Sequence, residues 1–516
     1  MKNCKNKGFF KLISTILTAA FLVTGCASEG TETSGGDDMS ATTSSVLVKS
    51  YEAEEGSFSG NVKTATRLSG FSGEGYVEGF QEDEDSCSLT VEVPEDGFYN
   101  LVFTAASLGG HKENYVFVDD EKVGYIASDC ESFEDEASNS TVTRVYMTAG
   151  EHVVRLTKYW GYIAFDKMDL MTSESLPGDY YQAKVKLNNP NASENAKRLM
   201  SFLADNYGKN ILSGQYSSEG LYGHENACIW SETGKFPAVL GLDMIEYSPS
   251  RVANGSTGKS IEYAIEAWDK NVVVTMCWHW NAPQKYLTGT WYSGFYKEHT
   301  NIDLDKIMSG EDQEGYELLI SDMDEIASQL VRLKEADVPV LWRPLHEASG
   351  GWFWWGDCKA ESYKALYRLM YEKFTNEYEL NNLIWLWNGQ NPDWYPGDDV
   401  TDMSGIDIYA GEHVYTSQIN SFMEVKGWSG ENKIVCMSEN GTLFDPDLAI
   451  RDDAMWSFFC TWSGEFVAAS KTLNRVSEQY TEKDMIKKVY NHENVLTMDE
   501  LPELKTYPIR EDVAGE

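Results

Sequence analysis

The sequence predicts a multidomain protein in which an N-terminal antiparallel β-sandwich is followed by a (β/α)8 TIM barrel. Residues 46–172 contain short runs of alternating polar and apolar residues, with turn residues between them. This pattern is typical of an antiparallel sandwich. From residue 186 onward, apolar strand-like runs alternate with helical patterns, as they do in barrels built from βα units.

The predicted sandwich rests on runs such as "SLTVEVPEDGFYNLVFTAA" and "GEHVVRLTKY", in which apolar residues recur at every second position. Groups of turn residues such as Pro-Glu-Asp-Gly separate these runs. We assign residues 46–172 to the sandwich. The stretch "SESLPGDYYQ" then predicts a linker over 173–185.

Eight apolar runs predict the strands of the barrel, which we assign to residues 186–508. In chain order they are "NILSGQY", "PAVLGLDM", "NVVVTMCWHW", "VPVLWRPLHE", "NNLIWLWNG", "GIDIYAG", "KIVCMSENG" and "FFCTWSGEF". A doubly wound sheet is the alternative. Polar and aromatic side chains favour the barrel, because they end these runs and barrel enzymes build their active sites at the carboxyl ends of the strands. They are His279, Glu347, Asn388, Tyr409, Glu439 and Trp462.

The formal net charge of the chain is −40. A polyanion is repelled by nucleic acids, so we exclude nucleic acid as a partner. A neutral polymer is unaffected by this charge.

The N-terminus predicts export. A basic stretch precedes the run "LISTILTAAFLVTGC", which has the length of a signal peptide core rather than of a membrane span. Because "VTGC" resembles a bacterial lipobox, we predict a lipoprotein signal peptide over 1–25, lipidation of Cys26 and a polar tether over 26–45. Ordinary signal cleavage beside an incidental cysteine is the alternative. The predicted location is the cell surface, with the chain anchored to the membrane through Cys26.

The cysteines do not predict a metal site. None of the nine has the CxxC or CxxH spacing of a zinc site. Whether Cys87 and Cys130 form a disulfide is left open by the sequence.

Two carboxyl groups at the predicted barrel mouth indicate glycosidic chemistry. Glu347 lies in "RPLHEASGGWFWWG", where apolar neighbours favour a protonated carboxyl group, and Glu439 lies in the more polar "MSENG". One such group protonates the leaving oxygen while the other attacks the anomeric carbon. We therefore predict that Glu347 is the acid/base and Glu439 the nucleophile. Many of the sixteen tryptophans lie near these strand ends, which suits a sugar polymer because sugar rings pack on aromatic planes.

The stretch "LWRPLHEASGGWFWWG" resembles the acid/base motif of glycoside hydrolase family 26, which consists mostly of β-mannanases with a (β/α)8 fold. "WHWNAP", "GIDIY" and "MSENG" follow the family's order, and the resemblance covers roughly residues 186–505. It implies the same catalytic pair, retention of anomeric configuration and no catalytic cofactor. It also implies that His346 and Tyr409 orient the nucleophile. The other implied substrate-binding residues are His279, Trp352, Asp407 and Trp462.

The N-terminal domain resembles carbohydrate-binding modules of family 35. "YEAEEGSFSGN" near its start and "GYIAFDKMDLM" at its end match that pattern. The resemblance implies a structural Ca²⁺, since oxygen ligands suit calcium, and it implies a sugar-binding surface at Trp160 and Tyr162. The implied calcium ligands are Glu52, Glu54 and either Asp166 or Asp169. An acidic edge strand without a metal is the alternative.

These observations predict a surface-anchored, retaining endo-β-1,4-mannanase acting on mannan, galactomannan or glucomannan. Mixed-linkage β-glucan and β-1,3-xylan are alternative substrates, and exo-acting release of mannobiose is an alternative mode. A non-catalytic glycan-binding lipoprotein is the alternative from another class. The sequence favours a monomer without establishing the oligomeric state.

Overall fold

The structure, a computed structural model, describes residues 45–515. The predicted signal peptide, the predicted lipidation of Cys26 and nearly all of the predicted tether lie outside the described residues. Within residues 45–515, the helices are too short or too polar to cross a membrane.

The N-terminal domain is an antiparallel sandwich, as predicted. One sheet has the order β3-β4-β11-β6-β9, with β1 added on β11, and the other has the order β2-β5-β10-β7-β8. Alternation explains the core: Leu89, Val91 and Val93 of one strand are buried while the residues between them face outward. The strands are β1 Leu47–Glu52, β2 Ser57–Ser59, β3 Lys63–Ala65, β4 Tyr76–Glu78, β5 Ser86–Val93, β6 Gly97–Ser107, β7 Lys112–Val118, β8 Glu121–Ser128, β9 Asn139–Met147, β10 Gly150–Lys158 and β11 Ile163–Thr172.

The second domain is a closed barrel of eight parallel strands, β13 to β20. Each of the eight predicted runs overlaps one of these strands, so the barrel prediction is confirmed and the doubly wound alternative is wrong. A short parallel pair, β12 with β21, lies outside the barrel. The strands are β12 Ile211–Leu212, β13 Gly214–Tyr216, β14 Val239–Asp243, β15 Val273–Trp278, β16 Val340–Pro344, β17 Leu383–Trp387, β18 Met403–Ile408, β19 Ile434–Asn440, β20 Phe459–Thr461 and β21 Val495–Leu496.

Helices cover the outside of the barrel with their apolar faces. In the helix α6, Leu319, Met323, Ile326 and Leu330 recur at helical spacing and are buried, and Asp312 caps its start by accepting a hydrogen bond from the backbone. The helices are α1 Glu194–Asn206, α2 His224–Thr233, α3 Pro249–Ala253, α4 Ser260–Asp269, α5 Leu304–Ser309, α6 Gln313–Glu335, α7 Ala360–Glu372, α8 Ile419–Trp428, α9 Pro446–Arg451, α10 Lys483–Tyr490 and α11 Glu511–Ala514.

Most tryptophans near the strand ends are core residues rather than cleft walls. Trp342, Trp354 and Trp355, which the sequence places near Glu347, are fully buried. Trp352 is 41% exposed and is therefore available to a ligand. The density of rings in "GGWFWWG" thus serves mainly to build a rigid support beneath the site.

The sandwich and the barrel are joined by polar contacts. On α8, the Asn420 side chain accepts from the Thr143 backbone N–H at 2.8 Å and donates to the Val123 carbonyl at 2.9 Å. The buried Arg144 donates to Asp453 at 2.8 Å. These bonds tie the edge strands β8 and β9 to the barrel.

The cysteines of the described residues are free thiols. Cys87 and Cys130 therefore do not pair in this structure: the Cys87 thiol is buried and donates to the Ala53 carbonyl at 3.6 Å.

Candidate active site

The carboxyl ends of β16 and β19 bring Glu347 and Glu439 to the same side of the barrel mouth. An oxygen of each lies within 4.8 Å of an oxygen of the other and of Asp407. Glu347 is held in the left-handed region, at φ 53°, and its backbone N–H donates to the Asn388 carbonyl at 2.8 Å. Leu345, two residues earlier, has φ 52°. Such strain in non-glycine residues is typical of functional sites, where surrounding contacts enforce it.

Arg343, on β16, is the centre of the charge network. Its guanidinium is completely buried, and it donates to Glu439 Oε2 and to Asp407 Oδ2, both at 2.6 Å. It also donates to the Tyr216 hydroxyl at 3.1 Å. A buried charge requires such pairing. Arg343 therefore supplies the buried counter-charge for Glu439 and Asp407.

Asp407 lies close to both glutamates and is oriented by donors from neighbouring strands. Its Oδ1 accepts from Asn388 Nδ2 at 2.6 Å and from Ser438 Oγ at 2.8 Å, while its Oδ2 accepts from Arg343. The sequence resemblance implied a site position for Asp407. In the structure this residue is buried and binds Arg343 in the wall of the site.

The two glutamates differ in their hydrogen-bond donors. Glu439 accepts from Arg343 and from the Tyr409 hydroxyl. Within residues 45–515, the side chain of Glu347 accepts from Trp352 Nε1 alone, at 3.0 Å. Burial raises the pKa of both carboxyl groups, and the charge of Asp407 raises them further. Arg343 and Tyr409 oppose this increase at Glu439, so its pKa lies below that of Glu347. The pair is thus set up with Glu347 protonated and Glu439 ionised.

The predicted contact between His346 and Glu439 is replaced by a contact between two histidines. His346 Nε2 lies 3.2 Å from His279 Nε2, and His279 Nδ1 lies 2.7 Å from Asp243 Oδ2. Burial, with Arg343 and His279, lowers the pKa of His346 well below its ordinary value, so this imidazole is neutral. Tyr409 donates to Glu439 as the resemblance implied, and the role implied for His346 is filled by Arg343.

Exposed and half-buried aromatic rings border the carboxyl pair. Trp462 is half-buried, with its ring centroid 4.8 Å from that of Tyr216 and 5.6 Å from that of His279. The Tyr296 ring stacks on that of Phe353, with centroids 5.7 Å apart. Burial raises the pKa of the Tyr296 hydroxyl, and the nearby charges of Glu347 and Glu439 raise it further. Trp352, Trp462 and Tyr296 therefore offer ring surfaces on which a sugar can pack.

The sequence reasoning missed Arg343, Asp243 and Tyr296, and it named Asn388 only as a strand end. Arg343 did leave a signal, because an arginine inside the apolar run "VPVLWRPL" must find a buried partner. Asp243 also ends an apolar run. Tyr296 lies in the long segment between β15 and α5, where no periodic pattern marked it.

In the sandwich, the structure gathers three of the four predicted calcium ligands. Ser72 donates its hydroxyl to Glu52 at 2.7 Å and its backbone N–H to Asp166 at 3.0 Å, and Glu54 accepts from the backbone N–H groups of residues 74 and 75. Glu54 Oε2 is buried without a hydrogen-bond partner, which fits a cation ligand. Asp169 instead lies 3.4 Å from the Lys167 ammonium group.

The predicted sugar-binding surface of the sandwich is exposed. Trp160 is 60% and Tyr162 51% accessible. Both lie in the turn between β10 and β11, and Tyr162 has φ 56°. The turn therefore displays the two side chains at the rim of the domain.

Comparisons with known proteins agree with this architecture. The family described as glycosyl hydrolase family 26 matches residues 188–500, and the carbohydrate binding module of family 35 matches residues 49–173. The chain is 36% identical over 463 residues to a mannan endo-1,4-beta-mannosidase of Thermothelomyces thermophilus, covering 89% of this chain and 91% of the relative.

Two solved structures are similar. One is a GH26-CBM35 beta-(1,4)-mannanase of Podospora anserina, with a TM-score of 0.61 and 34% identity, covering 89% of this chain and 99% of that one. The other is a beta-mannanase from a symbiotic protist of the termite Reticulitermes speratus, complexed with a gluco-manno-oligosaccharide. Its TM-score is 0.56 at 34% identity, covering 62% of this chain and 98% of that one.

A closed (β/α)8 barrel with two close carboxyl groups at its mouth, bordered by exposed aromatic rings, defines a glycoside hydrolase. The chain belongs to glycoside hydrolase family 26, and its N-terminal sandwich is a carbohydrate-binding module of family 35.

Proposed function

We propose that the protein is a retaining endo-β-1,4-mannanase that cuts mannan, galactomannan or glucomannan by double displacement. The separation of the two glutamates supports the retaining mechanism. Retaining enzymes hold their carboxyl groups about 5–5.5 Å apart, and inverting enzymes hold them about 6.5–9.5 Å apart to admit a water molecule. The approach of Glu347 and Glu439 to within 4.8 Å falls with the retaining group.

In the first step, Glu439 Oε attacks the anomeric carbon while Glu347 gives its proton to the glycosidic oxygen. The bond between that oxygen and the anomeric carbon breaks, and an ester forms between the sugar and Glu439. Arg343 and Tyr409 keep Glu439 ionised before attack. Trp352 Nε1 holds the Glu347 carboxyl group at the site.

In the second step, Glu347 is a carboxylate and accepts a proton from water, whose oxygen attacks the anomeric carbon. The ester breaks, Glu439 leaves as a carboxylate and Glu347 is protonated again. Two inversions give net retention. The step is favoured because Arg343 stabilises the negative charge that forms on Glu439 as it leaves.

Mannan as substrate is supported by the names of the relatives, which are mannan endo-1,4-beta-mannosidases. The test is to incubate the mature chain separately with linear mannan, galactomannan, mixed-linkage β-glucan and β-1,3-xylan, following reducing ends and product lengths. Manno-oligosaccharides of several lengths at early times are expected. Mannobiose as the sole product would indicate exo action. Cleavage of one of the other polymers instead of mannan would contradict the proposed substrate. Binding without cleavage of any polymer would contradict enzymatic function.

We further propose that Glu52, Glu54 and Asp166 hold a structural Ca²⁺ in the module and that Trp160 and Tyr162 bind the polysaccharide. Ser72 as a shared donor to Glu52 and Asp166, together with the unpartnered Glu54 oxygen, supports the metal. The exposed rings support the sugar surface. Trp160→Ala should weaken retention on insoluble mannan without changing the rate on short oligosaccharides, and equal retention would contradict this assignment.

We also propose that Cys26 carries a lipid that anchors the protein to the cell surface. The sequence "VTGC" supports this anchor. Labelled palmitate should enter the protein expressed in a bacterium, and Cys26→Ala should abolish the label. A labelled Cys26→Ala protein would contradict the proposal.

A further inference from the structure

A cavity of about 380 Å³ lies between the module and the barrel. Strands β7 and β8 form one wall, and Tyr409 with the loop before α8 forms the other. Because the Tyr409 hydroxyl donates to Glu439, the cavity adjoins the catalytic site. Its volume is within the range of about 300–1,000 Å³ that small-molecule sites occupy.

A row of tyrosines leads from this cavity across the module. Tyr125 on β8 and Tyr115 on β7 are direct cross-strand partners, so their side chains share one face of the sheet. The Tyr115 ring stacks on that of Tyr159, with centroids 4.3 Å apart and planes inclined by 25°. Tyr159 directly precedes Trp160, and Tyr125 is 45% exposed. The row therefore joins the cavity to the proposed sugar-binding turn.

The walls of the cavity are held in place by the contacts between the two domains. Lys122 donates to the Ala410 carbonyl at 3.2 Å, and its ammonium group lies 4.6 Å from the centroid of the Tyr115 ring. Asn420 and its partners fix the other end of the same loop. A preformed site does not lose binding energy to its own ordering.

The chemistry of the lining suits a neutral, hydroxyl-rich ligand. The lining combines the tyrosine rings with the amide of Gln418 and with Lys122, Arg451 and Asp119, whose charges are already paired or hydrogen-bonded within the protein. Sugar rings pack their C–H faces on such rings while their hydroxyl groups meet the polar side chains. The net charge of −40 disfavours an anionic polymer.

We propose that this cavity and the exposed rings of Tyr125 and Tyr159, with Tyr115 as the packed link between them, bind a further stretch of the polysaccharide chain that the catalytic cleft cuts. The identity of that polymer rests on the proposed function. The module then acts as a continuation of the cleft, because a long chain contacts both domains at once. A short oligosaccharide fills the catalytic cleft alone.

The test compares long and short ligands in the full chain. Affinities for mannotetraose and for linear manno-oligosaccharides of about ten residues are measured by calorimetry in the Glu439→Ala background, and KM is measured in the active chain. Tyr125→Ala should weaken binding of the long ligand and raise its KM by about two- to tenfold, with mannotetraose unchanged. Tyr125→Phe should retain most of the affinity because it keeps the ring.

The matched control is Tyr222→Ala, which removes a tyrosine of similar exposure, 50%, from outside the cavity. Unchanged long-ligand affinity in Tyr125→Ala would overturn the proposal, as would an equal loss for mannotetraose. If the unsubstituted chain binds and cuts only another β-glycan, the mannan assignment fails separately. The variants are then compared on long and short forms of that glycan, with the same two outcomes.

Discussion

The barrel and the module each gather three carboxyl groups, but they balance the negative charge differently. In the barrel, Glu347, Asp407 and Glu439 surround Arg343, which pairs with two of them. In the module, Glu52, Glu54 and Asp166 receive hydroxyl and backbone N–H donors. Within residues 45–515, no cationic side chain forms an ion pair with these three module carboxyl groups.

This difference explains why similar residues suit different tasks. An internal cation fixes which carboxyl groups are ionised, so Glu439 is a carboxylate and Glu347 keeps its proton. Neutral donors orient carboxyl groups without cancelling their charge, which is the basis for proposing an external cation at the module cluster. The carboxyl groups alone therefore do not distinguish a catalytic site from a metal site. The counter-charge does.

Removing either catalytic carboxyl group is the most severe test of this comparison. Glu439→Ala should lower kcat by about 10⁴-fold or more, because the covalent step is lost. Glu347→Ala should lower it by about 10²- to 10⁴-fold, the range for general acid–base catalysis. Initial rates on mannan measure both.

Added azide distinguishes the two roles. It should restore turnover of Glu439→Ala on a substrate with a good leaving group, giving a glycosyl azide of inverted configuration, whereas Glu347→Ala should give the retained configuration. The opposite stereochemistry would exchange the two assignments. Glu52→Ala, in the module cluster, is the control and should leave kcat on short oligosaccharides unchanged.

Replacing Arg343 should damage both stability and activity. Arg343→Met leaves Asp407 and Glu439 buried without their counter-charge, which costs about 3–5 kcal/mol in the free energy of unfolding. Urea denaturation at neutral pH measures this loss. If Arg343→Met unfolds at the same urea concentration as the unsubstituted protein, the charge network does not have the role assigned to it.

Calcium should stabilise the module cluster and leave the barrel cluster unaffected. At a free concentration 100 times its Kd, a ligand adds about 2.7 kcal/mol to the free energy of unfolding. Chelation should therefore lower the Tm of the module, and Glu54→Gln should remove most of this difference. A chelator effect of equal size in Glu54→Gln would place the metal elsewhere.

The calcium effect should also depend on pH. Burial raises the pKa of Asp166 to about 6, Ser72 opposes the increase, and Glu52 and Glu54 add to it. An aspartate in the unfolded chain has a pKa near 3.9. In the absence of calcium, the folded protein therefore holds a proton on Asp166 between about pH 4 and pH 6 that the unfolded chain has lost. The free energy of unfolding of the calcium-free protein consequently falls as the pH rises through this range. Calcium requires the carboxylate, and its stabilising effect should be greater at pH 7 than at pH 5.

The smallest expected effect comes from Tyr409→Phe, which removes one donor to Glu439. Activity needs Glu439 ionised and Glu347 protonated, so it is lost below the pKa of the first and above the pKa of the second. Losing the hydrogen bond raises the pKa of Glu439, and the acid limb of kcat/KM should move up by about one pH unit. The alkaline limb is the internal control. If the acid limb does not move, Tyr409 does not lower the pKa of Glu439.

Much of the architecture could be read from the sequence because it depends on local periodicity. Leu89, Val91 and Val93 alternate as a half-buried strand must, and each barrel strand is a short apolar run. The end of a run also marked Glu347 and Glu439, since residues at the carboxyl ends of parallel strands meet at one mouth of the barrel.

What the sequence alone determined is the two-domain fold, the catalytic glutamates as candidates and a polymer partner compatible with a charge of −40. The tertiary structure decided which groups share charge. Arg343 donates to Asp407 and Glu439, which lie 64 and 96 residues away in the chain. His346 contacts His279. Asp166, rather than Asp169, shares the donor Ser72 with Glu52. These pairings depend on register, bulges and side-chain direction between distant strands, and no local pattern along the chain encodes them.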